Sequence, residues 1–403
     1  MKLSTARFAL VIGSVSALGP IAIYMYLPGL PALARELHAG PGQAELTVTS
    51  YFVGSTFGQL FYGPLSDRVG RRAPMLIGLA LFILSGLACS FAPNLQTLIL
   101  ARLFQGLGSA AAQVIGSAVI RDLYTGYEAA RLQASRMLVI AVSPILAPII
   151  GAAVIAAGSW RWIFWISAGL GVMGFLMILT LLPETRGPEA RRETRLGASF
   201  AVYKRLGVDG DFLLLAMIGG LMQGAFLAYL AGSSFVFITL NHAPPALYSL
   251  MFAINAGGFI GLAQFTPQLM RRFGAERLIV TGTGMMTAGA GLMTLAALTG
   301  HATIVFLAPP LFFGVTGVGL VFGPAVILAL REHGAIAGAA SSMIGFLQGA
   351  LGASGTALVA IFANGTAAPM AGVMAVFALI AFGAAGLVLR RHLRSVQLSV
   401  AGG

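Results

Sequence analysis

Long apolar stretches separated by short polar segments recur along the whole chain. A helix needs about 20 apolar residues to cross the hydrocarbon core of a bilayer, and twelve stretches come close to this length. They cover residues 8–30, 44–65, 73–92, 96–119, 132–156, 162–182, 211–238, 247–269, 277–299, 302–329, 335–362 and 367–389. The first resembles a signal peptide at its start, but it continues to Leu30 and more spans follow, so we predict an uncleaved first helix.

The composition agrees with this pattern. Hydrophobic residues make up 58% of the 403 residues and charged residues only 9%, far from the balance of soluble domains. We therefore predict an all-α integral membrane protein of twelve transmembrane helices. The single cysteine, Cys89, excludes a disulfide framework within the chain. The only lysines, Lys2 and Lys204, do not lie in a Walker A loop, which excludes an ATP-driven pump carried on this chain alone.

Basic residues show a strong topological bias. If the N-terminus is cytoplasmic, all but three of the 24 Lys and Arg residues fall in or beside the inner segments; the exceptions are Arg35 and Arg161 outside and Arg102 within a span. This asymmetry predicts that both termini are cytoplasmic. The net charge of +12 is then an orientation signal that faces anionic lipid, and no nucleic-acid partner is expected.

The longest polar segment, from Glu184 to Arg205, divides the spans into six and six. The halves also echo each other, with GPLSDRVGRR from Gly63 after span two and PQLMRRFGAE from Pro267 after span eight. Two pseudo-symmetric six-helix halves with a substrate site between them at the midplane are the expected architecture. The predicted parts are an N-terminal bundle at 1–185, a cytoplasmic linker at 186–209 and a C-terminal bundle at 210–403.

Several motifs carry a family resemblance over nearly the whole chain. GPLSDRVGRR resembles the loop signature of the major facilitator superfamily, RLFQGLG from Arg102 resembles its fourth-helix signature, and SPILAPIIG from Ser143 resembles a loosened antiporter signature. MYLP at Met25, Arg121-Asp122, LPET at Leu182 and YLAGSSFV at Tyr229 are similar to the bicyclomycin and chloramphenicol resistance (Bcr/CflA) branch of drug/proton antiporters. The resemblance implies a monomeric multidrug exporter of the bacterial inner membrane, driven by the proton gradient without a cofactor.

Two positions depart from the family pattern: Tyr24 replaces the usual Asp before Met-Tyr-Leu-Pro, and Ser234 replaces the usual Pro after Ser233. Arg102 is the only ionisable residue placed well inside a predicted span, where a guanidinium is costly and normally functional. Counted from the outer ends of their spans, Arg102 and Tyr24 lie at matching depth. Tyrosine, with a reference pKa near 10, cannot exchange protons readily near neutral pH. Glu45 is assigned to an outer end, so no acid replaces the missing Asp and coupling is in doubt.

The remaining coupling and gating candidates lie at or near the inner face. The resemblance implies that a charged cluster forms a gate latch on the cytoplasmic side; simple positive-inside anchoring is the alternative for its arginines. Its members are Asp67, Arg68, Arg71, Arg72, Arg121 and Asp122. Pro144 and Pro148 break backbone hydrogen bonds within span five and predict a bend, which by resemblance prevents leakage and otherwise is an ordinary kink.

The substrate-binding candidates are flexible, flat or amide-bearing side chains within spans, since such groups repack around different ligands. They are Tyr24, Tyr26, Gln113, Met222, Gln223, Phe226, Tyr229, Asn255 and Gln348. The five histidines lie at or beyond span ends without metal-ligand spacing, and no nucleophile and base share one depth. Neither a metal site nor an enzyme is therefore predicted.

Three functions are compared on these observations. The first is export of lipophilic drug-like molecules in exchange for protons. The second is a facilitator or a differently coupled exporter of a small metabolite, which the missing acid in span one favours. The third, a receptor or scaffold that transports nothing, would not require an arginine at membrane depth or a charged gate cluster.

Overall fold

The computed structural model describes residues 5–187, 204–333 and 336–401, and within them the regular structure is helical. The chain forms two compact units. Unit 1 is built from the described residues of Met1–Ser199 with Pro244–Ala253, and unit 2 from those of Phe200–Ala243 and Ile254–Gly403. Most of the predicted linker at 186–209 lies outside the described residues, so its boundaries stay a prediction.

Unit 1 contains the first six predicted spans. Its helices are α1 (Thr5–Tyr24), a 3₁₀ turn (Leu27–Gly29), α2 (Leu30–Glu36), α3 (Glu45–Val69), α4 (Arg72–Ser90), α5 (Leu95–Leu123), α6 (Gly126–Ala157) and α7 (Arg161–Leu181). The first span changes helix type after Tyr24, where Pro28 and Pro31 stand in the first positions of the two short helices that follow. Proline fits a helix start because its missing N–H has no acceptor there.

Unit 2 contains the remaining spans. Its helices are α8 (Gly210–Ser234), a π-helical turn (Phe235–Leu240), α9 (Pro245–Phe273), α10 (Ala275–Leu298), α11 (Ile304–Val318), α12 (Phe322–Leu330), α13 (Ala337–Ile361) and α14 (Ala368–Ala401). The first part of α9 belongs to unit 1. The π-helical turn directly follows Ser234, the position where the family pattern has proline.

The prediction of twelve helical spans is confirmed. In the described part of the chain, eleven helical segments are long and apolar enough to cross a membrane. The twelfth, α3, has 25 residues and coincides with predicted span two, but it is less apolar than the other eleven because it contains several Thr, Ser, Tyr and Gln residues. Most of its Thr, Ser and Tyr side chains are buried inside unit 1.

Glycines allow α3 and α5 to touch through their backbones. A Cβ atom on Gly54 would overlap the Leu103 carbonyl oxygen, and one on Gly106 would overlap the Tyr51 carbonyl oxygen. On the other side of the unit, a Cβ on Gly151 of α6 would overlap the carbonyl oxygen of Met25. Small residues permit this close approach where lipid supplies no hydrophobic drive for helix association. The two contacts hold α3 and α6 beside the residues discussed below.

A charged group caps the first helix of unit 2. Asp209 accepts hydrogen bonds from the backbone N–H groups of Asp211 (3.1 Å) and Phe212 (3.0 Å), and its other oxygen lies 3.1 Å from His333 Nε2. The backbone N–H of Phe212 and then His333 lower the pKa of the Asp209 carboxyl, against a smaller opposing effect of burial. A carboxyl whose pKa is lower in the folded than in the unfolded protein stabilises the fold at pH values above its unfolded pKa. This stabilisation is lost as the pH falls through the folded-state pKa.

We therefore expect the melting temperature (Tm) of the detergent-purified protein to decrease when the pH is lowered below about 4, the reference pKa of Asp. Protonation of Asp209 contributes part of this decrease. Asp209→Asn keeps an N-cap but removes the charge. Its Tm should lie below that of the wild type at pH 7, and the gap should close as the pH falls below 4. A gap that stays constant with pH would contradict the contribution of the charge.

Candidate functional site

Arg102 lies at the centre of a polar cluster inside unit 1. The side chain is fully buried, with 0% of its surface exposed, and its Nη1 donates to Gln105 Oε1 at 2.7 Å. Its Cζ atom lies 4.4 Å from the ring centroid of Tyr51 and 4.7 Å from that of Tyr26. Phe164 of α7 lies at 5.7 Å. Electron-rich ring faces attract a cation. Side chains of α3, α5 and α7 and of the turn after α1 therefore stabilise this guanidinium.

The two tyrosine rings are held by their hydroxyl groups. The Tyr26 hydroxyl lies 2.7 Å from Thr47 Oγ1 of α3. The Tyr51 hydroxyl lies 3.0 Å from the carbonyl oxygen of Gly19 in α1 and 2.9 Å from Ser109 Oγ of α5. These bonds fix the rings over Arg102 because each hydroxyl is tied to a different helix.

The cluster is not fully satisfied. Among the described residues, no hydrogen-bond acceptor reaches Arg102 Nε, Arg102 Nη2 or Gln105 Nε2, and all three atoms are buried. No Asp or Glu of the described chain forms a salt bridge with Arg102. A buried donor without an acceptor costs about 1–3 kcal/mol, and more when it is charged. The site would therefore be stabilised by a ligand that accepts hydrogen bonds, above all by an anionic one.

Tyr24 lies apart from these donors. Its ring contacts Phe252 of α9, with centroids 5.7 Å apart, and no hydrogen bond joins it to Arg102 among the described residues. Tyr26, two residues further along, supplies the ring against the guanidinium. Counting residues placed Tyr24 at the depth of Arg102, and the change of helix type after Tyr24 decides that Tyr26 is the tyrosine that faces the guanidinium.

A second buried arginine corrects the sequence analysis, which counted Arg136 with the cytoplasmic basic residues. Arg136 is 3% exposed inside α6. Its Nε donates to Ser16 Oγ of α1 at 2.8 Å, and its Nη2 donates to the Gln113 carbonyl oxygen of α5 at 2.7 Å. Arg102 is thus not the only ionisable residue within a span. The signal was present, because Arg136 falls inside predicted span 132–156.

Glu45 was placed correctly at a helix end, but its burial was not predicted. It lies in the first turn of α3 and is 9% exposed, and it is the only buried Asp or Glu in the described part of the chain. The Tyr26 hydroxyl is bonded to Thr47, two residues after Glu45 in α3. Tyr26 therefore connects the start of α3, where the buried acid lies, with Arg102.

The predicted gate cluster comes together around Arg71, whose side chain is 5% exposed. Its Nη1 lies 2.7 Å from Asp67 Oδ1, and its Nε lies 2.8 Å from Asp122 Oδ2. Its backbone N–H donates to Glu184 Oε1 at 2.8 Å. Burial opposes the charge, but Asp122 and Asp67 outweigh it and raise the pKa of Arg71. The ends of α3, α4 and α5 are thereby joined to the segment that follows α7.

The other members of that cluster contribute less. Arg72 donates to the carbonyl oxygen of Leu179, whereas Arg68 and Arg121 are exposed. Sequence reasoning missed the partner role of Glu184, although LPET had been singled out as a motif. The contacts described for the cluster lie inside unit 1, and its gating role stays a prediction.

The two prolines of the antiporter signature lie inside a single uninterrupted helix, α6. The carbonyl oxygen of Pro148 accepts a hydrogen bond from Ser249 Oγ at 2.9 Å. The carbonyls that lose their helical donor to these prolines are those of Ile140 and Pro144, four residues before each of them. Pro144 is half-buried, and the predicted sealing role of both residues is not tested.

The remaining substrate candidates lie in unit 2, apart from Gln113. Asn255 Nδ2 donates to the Tyr229 hydroxyl at 3.2 Å, and the ring of Phe226 lies 6.1 Å from that of Tyr229 and 6.0 Å from that of Phe259. Phe259 was not predicted. Met222 is fully buried, and Gln223 and Gln348 are half-buried where α8 approaches α13.

Unit 2 also contains a pocket of about 270 Å³ lined by charged residues at the start of α8, among them Asp209, Glu276 and Arg391. It includes none of the predicted substrate residues. In the described ranges, no group of three His, Cys, Asp or Glu side chains could hold a metal ion.

Comparison with known proteins identifies the fold and the family. Residues 12–357 match the Major Facilitator Superfamily. The chain belongs to this family. It is therefore a multi-pass membrane transporter and not an enzyme.

Relatives refine the family assignment. The chain is 34% identical over 92% of both chains to the uncharacterized MFS-type transporter YdgK of Bacillus subtilis. It is 28% identical to a bicyclomycin resistance protein homolog of Haemophilus influenzae, covering 97% of this chain and 98% of the relative. It is also 28% identical to the multidrug resistance protein MdtL of Escherichia coli, over 85% of each chain. The predicted resemblance to the Bcr/CflA branch is confirmed.

The solved structure of the xylose transporter XylE from E. coli, in a partially occluded inward-open conformation, is similar in fold. Its TM-score is 0.73 at 15% sequence identity, over 96% of this chain and 99% of XylE. At this identity the likeness concerns the fold alone, and it confirms the predicted major facilitator fold.

Proposed function

We propose that this transporter exports lipophilic, drug-like small molecules across the bacterial inner membrane by alternating access, in exchange for protons, as a monomer with cytoplasmic termini. The observation that carries the proposal is the fully buried guanidinium of Arg102 among aromatic rings and an amide. Ionisable groups held at membrane depth are expensive and mark substrate or proton pathways. Relatives named for bicyclomycin and multidrug resistance support the choice of substrate.

Glu45 is the proton-binding group in this proposal. Burial disfavours the charged form of a carboxyl, so a buried carboxyl binds a proton more readily than an exposed one. The Tyr26 hydroxyl is bonded to Thr47, two residues after Glu45, and the Tyr26 ring lies against Arg102. Protonation of Glu45 would therefore change the charge balance around Tyr26 and Arg102 without an acid at position 24.

A facilitator of a small metabolite is the second candidate. It is favoured by Tyr24 standing where the family has an acid and by the absence of any carboxylate paired with Arg102 among the described residues. The two candidates differ in their response to a pH gradient.

Uptake of radiolabelled chloramphenicol into proteoliposomes, with and without an imposed pH gradient, separates them. Because chloramphenicol is uncharged, the measurement does not depend on an anion site. We expect a gradient of one pH unit to raise accumulation by up to about tenfold, since one pH unit is worth 1.4 kcal/mol per proton. Tyr24→Asp, tested in parallel, should add little if Glu45 already carries the proton.

Equal transport with and without the gradient would contradict antiport and select the facilitator. Accumulation by Tyr24→Asp alone would show that the wild-type chain lacks its proton carrier. No saturable transport by either protein would reject drug export.

A further inference from the structure

The N–H groups at Arg102 that have no acceptor indicate which kind of ligand could bind there. Arg102 Nε and Nη2 and Gln105 Nε2 are three buried N–H-bearing atoms without an acceptor among the described residues. They belong to side chains three residues apart on one face of α5, joined by the bond from Arg102 Nη1 to Gln105 Oε1. Planar guanidinium donors match the two oxygens of a carboxylate. An uncharged ligand would satisfy the hydrogen bonds but would leave the positive charge uncompensated.

The buried charges inside unit 1 also favour an anionic ligand. Arg102 and Arg136 are both buried, and neither is paired with a carboxylate in the described ranges. Along α5, Arg102 and the Gln113 carbonyl that binds Arg136 are separated by about 16 Å at 1.5 Å per residue. Glu45 is the only buried acid of the described chain. Because burial weakens screening, these charges make the interior of the unit attractive to anions.

The walls around Arg102 define the rest of the ligand. The faces of Tyr26, Tyr51 and Phe164 surround the guanidinium at 4.4–5.7 Å. Together with the Gln105 oxygen, these electron-rich faces lie against its positive charge. Flat rings of this kind pack well against another flat ring at similar separations.

We propose that Arg102 and Gln105 form the recognition site for the carboxylate of an amphipathic organic acid that carries a flat apolar ring. This inference rests on the proposed export function and names a substrate class for it. The carboxylate accepts from Arg102 Nε and Nη2 and from Gln105 Nε2, while the apolar ring of the substrate packs against Phe164 and the displaced tyrosine rings. The hydroxyl bonds of Tyr26 to Thr47 and of Tyr51 to Ser109 and Gly19 are the contacts that this displacement breaks.

Equilibrium dialysis of the detergent-purified, full-length protein with a matched pair of probes tests the proposal. Radiolabelled 2-naphthoate and 2-naphthamide have nearly the same shape and differ in charge. At pH 7.5 the naphthoate is fully ionised, since carboxyl groups titrate near pH 4. We expect the wild type to bind naphthoate at least about tenfold more tightly, because charge-assisted hydrogen bonds are roughly twice as strong as neutral ones.

Variants test whether Arg102 causes the preference for naphthoate over naphthamide. Arg102→Met should bind the two probes within about twofold of each other, whereas Arg102→Lys should keep part of the preference through its charge. Arg35→Met removes a charge from an exposed position of the same unit and should keep the whole preference. If Arg102→Met cannot be purified, the comparison of Arg102→Lys with the wild type decides whether the fork-shaped donors matter.

Equal binding of both probes by the wild type would overturn the proposal, as would a carboxylate preference that survives in Arg102→Met. Either result would leave the export of uncharged chloramphenicol untouched. Conversely, naphthoate binding with the expected preference, together with no transport of any compound, would reject the export function and retain the anion site.

Discussion

Replacing Arg102 with methionine is expected to abolish transport of carboxylate-bearing substrates and, at the same time, to raise the thermal stability of the protein. Arg102 is fully buried, and two of its nitrogen atoms have no acceptor among the described residues. Methionine has a similar length and carries no charge to desolvate. Exchanging buried charges for apolar residues of similar volume is often stabilising by about 1–4 kcal/mol. Loss of the bond to Gln105 offsets about 1 kcal/mol of this gain, and loss of the cation–ring contacts offsets a further part of it.

The measurement has two parts. The Tm of Arg102→Met in detergent should lie a few degrees above that of the wild type, and uptake of radiolabelled 2-naphthoate into proteoliposomes should fall to the level of empty vesicles. Arg161→Met serves as the matched control, because Arg161 is partly exposed and bonded to Glu36 and to the Ala92 carbonyl. That control should lose stability and keep transport. A drop in Tm for Arg102→Met would show that Arg102 serves the fold.

Replacing Glu45 with glutamine is expected to uncouple the transporter. Glutamine keeps the size and polarity of the side chain but cannot exchange a proton. Chloramphenicol accumulation driven by a gradient of one pH unit should lose its gain of up to about tenfold, which is the limit that one exchanged proton sets. Exchange of labelled for unlabelled chloramphenicol without a gradient should continue at the wild-type rate, because substrate binding does not require Glu45.

Glu128→Gln is the matched control for that experiment. Glu128, like Glu45, occupies the first turn of a long helix, where an acid interacts favourably with the helix dipole. Unlike Glu45, it is exposed. If both variants lose accumulation to the same extent, the effect belongs to helix stability and Glu45 is not the proton carrier.

The spans could be predicted because apolar length is a local property of the sequence. The start of each long helix was set within about six residues, and the gate residues Asp67, Arg71 and Asp122 were correctly grouped. The neighbour of Arg102 could not be found in the same way. Depth along a helix follows from counting residues, but the direction of the Tyr26 side chain depends on how the chain bends after α1 ends at Tyr24.

Burial was the other property that the sequence did not reveal. Glu45 lies at a helix end, as predicted, and end positions are usually solvated; the packing around α3 removes it from solvent. Arg136 was assigned to the inner boundary, yet α6 begins at Gly126 and carries it two to three turns into the helix. Both cases concern tertiary contacts between α1, α3, α5 and α6, which no local pattern encodes.

The unpaired charge of Arg102 has an electrical consequence. If Arg102 selects an organic anion and Glu45 carries one proton the other way, each transport cycle moves two elementary charges in the same electrical direction. A membrane voltage of 100 mV, negative inside, adds about 2.3 kcal/mol for each of them. The combined 4.6 kcal/mol corresponds to a concentration ratio on the order of a thousand, so voltage alone would sustain expulsion of an acid even where the pH is equal on both sides.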